Sequence, residues 1–233
     1  MPAHPLPVVF IPALLCNERM YAETIAGLGD VIDAHVLLSP MPTLDASVED
    51  ILARAPGQFV LVGTSYGGNL AMRVALAAPE RVSALWLMGC DPQAPKAGGP
   101  DLAAALASDP DAVIHMLSGL VVHKDHVEAV ATFKDMAAQV GGAAGAAQAK
   151  AVGAREEVVS RLGSLAMPAL VLWGEDDALA PVSVGQALAD VLPRARFEVF
   201  EGCGHLPTLE RPKESAALFR AFLTASGLLP DAN

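Results

Sequence analysis

Three short stretches of this chain carry residue types that together could do covalent chemistry. Ser65 stands between two glycines in Gly63-Thr64-Ser65-Tyr66-Gly67, directly after the apolar run Phe59–Val62. Glu175, Asp176 and Asp177 follow the apolar run Ala169–Gly174. His205 closes Gly202-Cys203-Gly204-His205, just after the run Arg196–Phe200. A serine hydroxyl attacks a carbonyl only if a base takes its proton, and an imidazole base needs a carboxylate to fix its tautomer. The three stretches supply them in the order serine, acid, histidine that a strand-and-helix sheet uses for acyl transfer, with three acids to choose from.

The setting of Ser65 makes it more than a chance pattern. A sharp turn from strand to helix brings neighbouring backbone too close for side chains at the flanking positions, and it exposes the serine oxygen. The helix that follows presents unpaired N–H groups, which favour developing negative charge. His205 lies on a loop at a strand's carboxyl end, with Gly202 and Gly204 just before it leaving the backbone free to aim the ring. The other histidines fit less well. His4 is near the chain start, and His35 lies within an apolar run. His115, His123 and His126 fall in a helix-like segment, where the last two, with Lys124 between them, read as a solvated helix face rather than a metal pair. A Cys203–His205 dyad is a competing use of the histidine, and small hydrophobic packing is the plainer reading of Cys16 and Cys203.

The elements that must position these residues follow from the apolar pattern. β-rich runs at 7–11, 33–39, 58–63, 81–89, 169–174 and 196–200 predict six strands, several apolar enough to be buried on both faces. Helix-length stretches at 20–28, 47–55, 69–80, 182–192 and 213–226 lie between them or after them. Ser47 and Asp50 are set as N-cap and first-turn acid of the second helix. Strand alternating with helix predicts an α/β, doubly wound, mostly parallel six-stranded sheet. The alternation breaks at residues 95–166, which are helix-like throughout, including a low-complexity Gly/Ala tract at 141–154. Residues 1–94 and 167–233 are therefore expected to form the core and 95–166 a helical cap over the sheet's edge. Trp86 and Trp173 fall in strands and are expected in the core.

Composition removes other classes. At 53% hydrophobic residues over 233 positions, the chain can bury a substantial core. A net charge of −11, scattered rather than blocked, argues against nucleic-acid binding. Cys16, Cys90 and Cys203 are odd in number and show no metal spacing, so a reducing cytoplasm is the expected compartment. The first residues carry prolines at 5, 7 and 12 and no Lys or Arg before Arg19, a poor signal peptide. No uninterrupted apolar run reaches the roughly 18–20 residues that span a bilayer, so no membrane is expected.

Three motifs in this order, GTSYGG, WGEDDALAP and GCGHLPTLE, make the chain similar to members of the α/β-hydrolase fold superfamily over nearly its whole length. In that family's late motif the acid stands three residues after the strand-ending glycine and just before an apolar pair and proline. From Gly174 the resemblance gives Asp177, with Asp176 as runner-up and Asp91 in the place some relatives use instead. It also implies an oxyanion hole made by the backbone N–H of Tyr66 and one N–H from the loop after the first strand. One subset of the family reads Pro-Gly-Leu-Leu-Cys-Asp there. This chain reads Pro12-Ala13-Leu14-Leu15-Cys16-Asn17, which makes Leu14 the second donor. Ala13 replaces the glycine, so strain is expected at Ala13 if the turn needs positive φ. Leu15 and Leu206 are the expected pocket-lining residues. The antiparallel strands that often open the family fold are not expected here, in keeping with a six-strand core.

These readings predict a serine hydrolase acting on a small-molecule substrate, with no metal and no organic cofactor. The Ala-, Val-, Leu- and Met-rich cap makes the ester of a small-to-medium apolar acid the default substrate, and it seals either a pocket or a contact with a second copy. Similar folds use the same triad to transfer acyl groups, cleave carbon–carbon bonds of diketone-like substrates or make peracids. A binding protein without turnover is the alternative from a different class, with Ala13 as its pointer.

Overall fold

The predicted apolar runs become six strands, β1 Leu6–Ile11, β2 Ile32–Val36, β3 Phe59–Thr64, β4 Val82–Met88, β5 Ala169–Gly174 and β6 Ala195–Phe200. The computed structural model describes residues 4–39, 41–96 and 98–230. The strands lie in the order β2-β1-β3-β4-β5-β6, and every pairing is parallel. From β1 the chain first moves outward to β2, then returns to β3 on the other side of β1. The order therefore reverses between β1 and β3, the place where open α/β sheets hold their sites. Ile11 pairs with Gly63 and Thr64 with Met88, so the ends of β1, β3 and β4 meet there.

Ten α-helices complete the described chain: α1 Ala22–Leu28, α2 Leu44–Arg54, α3 Tyr66–Ala77, α4 Leu102–Ser108, α5 Pro110–Val121, α6 Val127–Gly153, α7 Val159–Leu162, α8 Val182–Val191, α9 Pro207–Glu210 and α10 Pro212–Ala225. β3 and β5 are buried at every residue, as strands covered on both faces must be. Side chains alternate between two cores. Val8, Phe10, Val62 and Trp86 face a core shared with α10 and α6, where Trp86 stacks on Phe219 at 4.3 Å. Val9, Ile11, Leu61 and Trp173 face the core shared with α2, α3 and α8. β6, at the sheet's edge, is only partly buried. Helices α4 to α7 stand between β4 and β5 in the chain and contain no strand.

Two local expectations change. β2 stops at Val36 rather than running to residue 39, because its only partner is β1 and their register ends at Phe10 opposite Val36. Helix α2 starts earlier than Ser47: Thr43 is its N-cap and accepts the Ala46 N–H at 3.2 Å, while Asp45 is the first-turn acid. Ser47 is buried inside the helix. The earlier start places Leu44, Val48 and Ile51 on one buried stripe. The Gly/Ala tract is helical despite its glycines, and α6 departs from helical backbone only at Gly141. Thr43→Ala is expected to lower stability by about 1 kcal/mol, the usual loss for a capping hydroxyl, seen as a lower urea midpoint at unchanged m.

Candidate active site

Ser65 sits between β3 and α3 with φ 55° and ψ −115°, a backbone that non-glycine residues rarely adopt. Such conformations cost about 1–3 kcal/mol and persist only where the surroundings over-determine them. Here the surroundings do so at close range. A Cβ on Gly63 would lie 2.4 Å from the Gly67 carbonyl oxygen, and one on Gly67 would lie 2.0 Å from the Ile11 oxygen. A Cβ on Gly68 would lie 2.6 Å from the Cys90 Cβ. Ser65 N–H donates to the Met88 oxygen at 2.8 Å, which ties the turn to the end of β4. The Ser65 side chain caps nothing in α3, so its oxygen is not committed to the helix.

Asp177 and His205 form the shortest link between the other two motifs. Asp177 Oδ2 meets His205 Nδ1 at 2.6 Å, with both side chains almost wholly buried. Asp177 Oδ1 accepts the N–H groups of Leu179 and Ala180, both at 2.9 Å, so the carboxylate is fixed from both sides. The two turns lock at backbone level: Asp176 N–H donates to the Cys203 oxygen at 2.9 Å, and a Cβ on Gly174 would lie 2.0 Å from the Gly204 oxygen. His205 leans on Gly89, where a Cβ would lie 2.8 Å from the ring's Cε1. Gly89 directly follows Met88, so the imidazole and the Ser65 turn share the end of β4. Its Nε2 is buried and has no hydrogen-bond partner among the described residues, so Ser65 and His205 are not hydrogen-bonded to each other. Catalytic hydrogen bonds often tighten only once substrate is present.

The remaining acids lie elsewhere. Asp176 is half exposed, with His123 Nε2 at 3.8 Å, and Asp91 closes its own turn by accepting Gln93 N–H at 2.9 Å. His123 and His126 occupy the connection between α5 and α6 rather than a helix face. His126 Nε2 lies 3.0 Å from the Gly202 oxygen, and His123 N–H donates to Glu210, so this connection is pinned to the His205 loop instead of standing free in solvent. Among the described residues, no group of three His, Cys, Asp or Glu side chains could hold a metal ion.

The loop after β1 differs from its expected strain. Positive φ falls on Leu15, at 62°, and not on Ala13. Tyr21 fixes the loop's root, with its hydroxyl 3.0 Å from the Ile11 oxygen as donor and 2.9 Å from Thr64 Oγ1. Leu15 is fully buried, and its N–H donates to Gln148 Oε1 at 3.0 Å. Leu14 N–H has no acceptor among the described residues. Tyr66 opens α3, so its N–H belongs to the helix's unpaired first turn. Its phenol is buried, and burial pushes it above the ordinary tyrosine range. Leu206 is buried beside His205. Two cavities of about 630 and 620 Å³ lie apart from Ser65, Asp177 and His205, one against α2 and α3, the other between α9 and the start of α6.

Glu210 is the residue that reading the sequence for chemistry left unassigned. Its buried carboxylate accepts the N–H groups of His123 at 2.9 Å, Gly204 at 2.8 Å and Leu206 at 3.1 Å. With His205 N–H donating to the Val121 oxygen at 3.1 Å, it binds the histidine loop to the end of α5. The available signal was an acid five residues past His205, at the end of GCGHLPTLE. The three thiols are buried and free, and burial raises their pKa, that of Cys90 to about 12. Cys203 is therefore held as a protonated thiol.

Residues 8–218 match the model of the alpha/beta hydrolase family, and the chain belongs to that family of enzymes. It is 28% identical to a pimeloyl-[acyl-carrier protein] methyl ester esterase of Nitrosomonas europaea over 78% of this chain and 77% of that protein. It is 30% identical to a 2-hydroxy-6-oxononadienedioate/2-hydroxy-6-oxononatrienedioate hydrolase of Cupriavidus pinatubonensis over 66% of this chain and 57% of the other. A bifunctional biotin biosynthesis protein of Teredinibacter turnerae matches at 26% over 92% of this chain, which spans 41% of that longer protein. Among solved structures, a thermophilic esterase from Thermogutta terrifontis superposes with a TM-score of 0.84 at 22% identity, covering 96% of this chain and 91% of that one, a likeness of fold. Among the described residues, no helix is long and apolar enough to cross a membrane.

Glu210→Gln replaces one acceptor oxygen with a donor amide facing backbone N–H groups. It is expected to cost about 2–3 kcal/mol, read as a lowered urea midpoint. With thiols held protonated by burial, the folded protein at pH 8 should react with a disulfide reagent far more slowly than after denaturation, when all three cysteines should titrate.

Proposed function

We propose that the chain is a serine hydrolase that cleaves carboxylic esters of small-to-medium apolar acids. Ser65 is the nucleophile, His205 the general base and Asp177 the acid that fixes the imidazole. The observation that carries this reading is the buried Asp177–His205 pair at 2.6 Å, whose far nitrogen, Nε2, has no partner among the described residues. A carboxylate on Nδ1 holds the proton there and leaves Nε2 with its lone pair, the form able to take a proton from a hydroxyl. Ser65 Oγ then bonds to the ester carbonyl carbon while its proton passes to Nε2. The N–H groups of Leu14 and Tyr66 receive the oxyanion. The imidazolium returns that proton to the departing alkoxide. Water, deprotonated by the same nitrogen, next attacks the acyl-serine, which releases the acid and restores the Ser65 hydroxyl.

Residues 95–166 act as the cap in this reading, supported by α6 contacting the Leu15 loop and the end of α5 holding the His205 loop. Leu206 and Leu15 back the acyl pocket. Three buried free thiols fit a reducing, cytoplasmic setting. A methyl ester esterase among the relatives supports the ester class. A second reading, carbon–carbon hydrolysis of a diketone-like acid on the same triad, is favoured by the relative named as a 2-hydroxy-6-oxononadienedioate hydrolase.

A small fluorophosphonate should add once to the wild type, and intact mass should show no adduct on Ser65→Ala or His205→Ala. Asp177→Asn should lower kcat on p-nitrophenyl butyrate about 10⁴-fold, the scale of a lost imidazole orienter. An unlabelled wild type would overturn the serine mechanism. Turnover of a 2-hydroxy-6-oxo-dienedioate with negligible ester cleavage would select the second reading.

A further inference from the structure

We propose that Gln148, on the inserted helix α6, is a positioning residue for the oxyanion hole. The proposal rests on the serine-hydrolase reading and deepens it. The buried Gln148 side chain takes the buried Leu15 N–H on Oε1 at 3.0 Å, a contact between residues 133 positions apart in the chain. That N–H belongs to the peptide joining Leu14 to Leu15, and Leu15 holds a left-handed φ of 62°. Leucine keeps such a backbone only where its neighbours enforce it. With its hydrogen bond to Gln148 gone, this peptide would hold a buried donor without an acceptor and would rotate toward one. Rotation about the bonds flanking Leu14 turns the Leu14 N–H, the proposed second oxyanion donor.

The rest of the interface shows that α6 is built to hold this loop. Gly145 lies where a Cβ would come 2.4 Å from Leu15 Cδ2, so the helix backbone itself packs on the leucine. Asn17 Nδ2 donates to Gln139 Oε1 at 3.0 Å, and Arg19 lies 3.7 Å from Asp135. Gly141, with φ 80° and ψ 158°, bends α6 between Gln139 and Gln148, which lets both reach one loop. The inserted segment thus does more than cover the site: its position is written into the geometry that receives the oxyanion.

The test compares Gln148→Met, which keeps the volume and removes the acceptor, with Gln148→Glu, which keeps an acceptor oxygen. Hydrolysis of p-nitrophenyl butyrate is measured per active site titrated with fluorophosphonate, so loss of folded protein does not enter kcat. Gln148→Met should lower kcat at least about tenfold, toward the loss seen on removing an oxyanion donor. KM and the pH dependence of kcat/KM should be unchanged, and Gln148→Glu should keep most of the activity. If Gln148→Met does not fold, Gln148→Asn, too short to reach Leu15, gives the same comparison. Wild-type kcat per site in the acceptor-free variant, or equal loss in Gln148→Glu, would overturn the proposal. Ser65→Ala is the parallel control: turnover surviving in it sinks the serine-hydrolase reading, whereas its loss with an unaffected Gln148→Met sinks only the role of Gln148.

Discussion

The close approach of the start of α3 to the end of β1 is the constraint on which the site depends. With only 2.0 Å between an imagined Gly67 Cβ and the Ile11 oxygen, the helix can begin where it does only because residue 67 has no side chain. That approach forces Ser65 into its unusual backbone and places the unpaired N–H groups of α3 beside the loop that leaves β1. The β1–β3 junction is also where the sheet's strand order reverses, so no further strand crosses the opening. Topology leaves the space, and sterics at one glycine decide what faces it.

Loops that are far apart in sequence are brought into register mainly by backbone groups. Ser65 N–H reaches the end of β4, Asp176 N–H reaches the turn before His205, and His205 N–H reaches the end of α5. Buried side chains then close the gaps: Glu210 across the histidine loop, Tyr21 between β1 and β3, and Gln148 between α6 and the loop after β1. Each satisfies donors or acceptors that would be costly to bury alone. Among the described residues, His205 Nε2 and the Leu14 N–H stand without partners at the centre of this arrangement.

The fold was legible because parallel strands covered on both faces are apolar almost without break, as in Phe59–Val62 and Ala169–Trp173, and few other elements look like that. The turns at Ser65 and His205, and the loop Glu175–Asp177, were legible because glycines and strand ends announce sharp turns in the sequence itself, while the choice of Asp177 among the three acids came only from the family resemblance. What escaped was set by contacts between distant residues. Nothing local tells that Leu15 rather than Ala13 takes the positive φ, since its N–H is held from Gln148. Thr43 and Ser47 are both good capping residues, and only the burial of Leu44 decides between them. Glu210 reads as a surface acid until the three N–H groups around it are known.

The strand order also has a consequence for how the chain is made. β1 to β4 end by Met88 and make up the contiguous four-stranded part β2-β1-β3-β4 of the sheet, whereas β5 begins at Ala169, after the helices α4 to α7. During synthesis, β4 therefore emerges with its outer edge unpaired, and that strand is buried at every residue but Ser83, including Trp86, in the finished protein. An apolar, unprotected edge is a template for pairing with other chains. The nascent protein must carry this edge until the last third of the chain arrives with β5, α10 and both the acid and the histidine. Its folding is therefore most exposed to aggregation at the moment when the Ser65 turn is made and the loops of Asp177 and His205 are not.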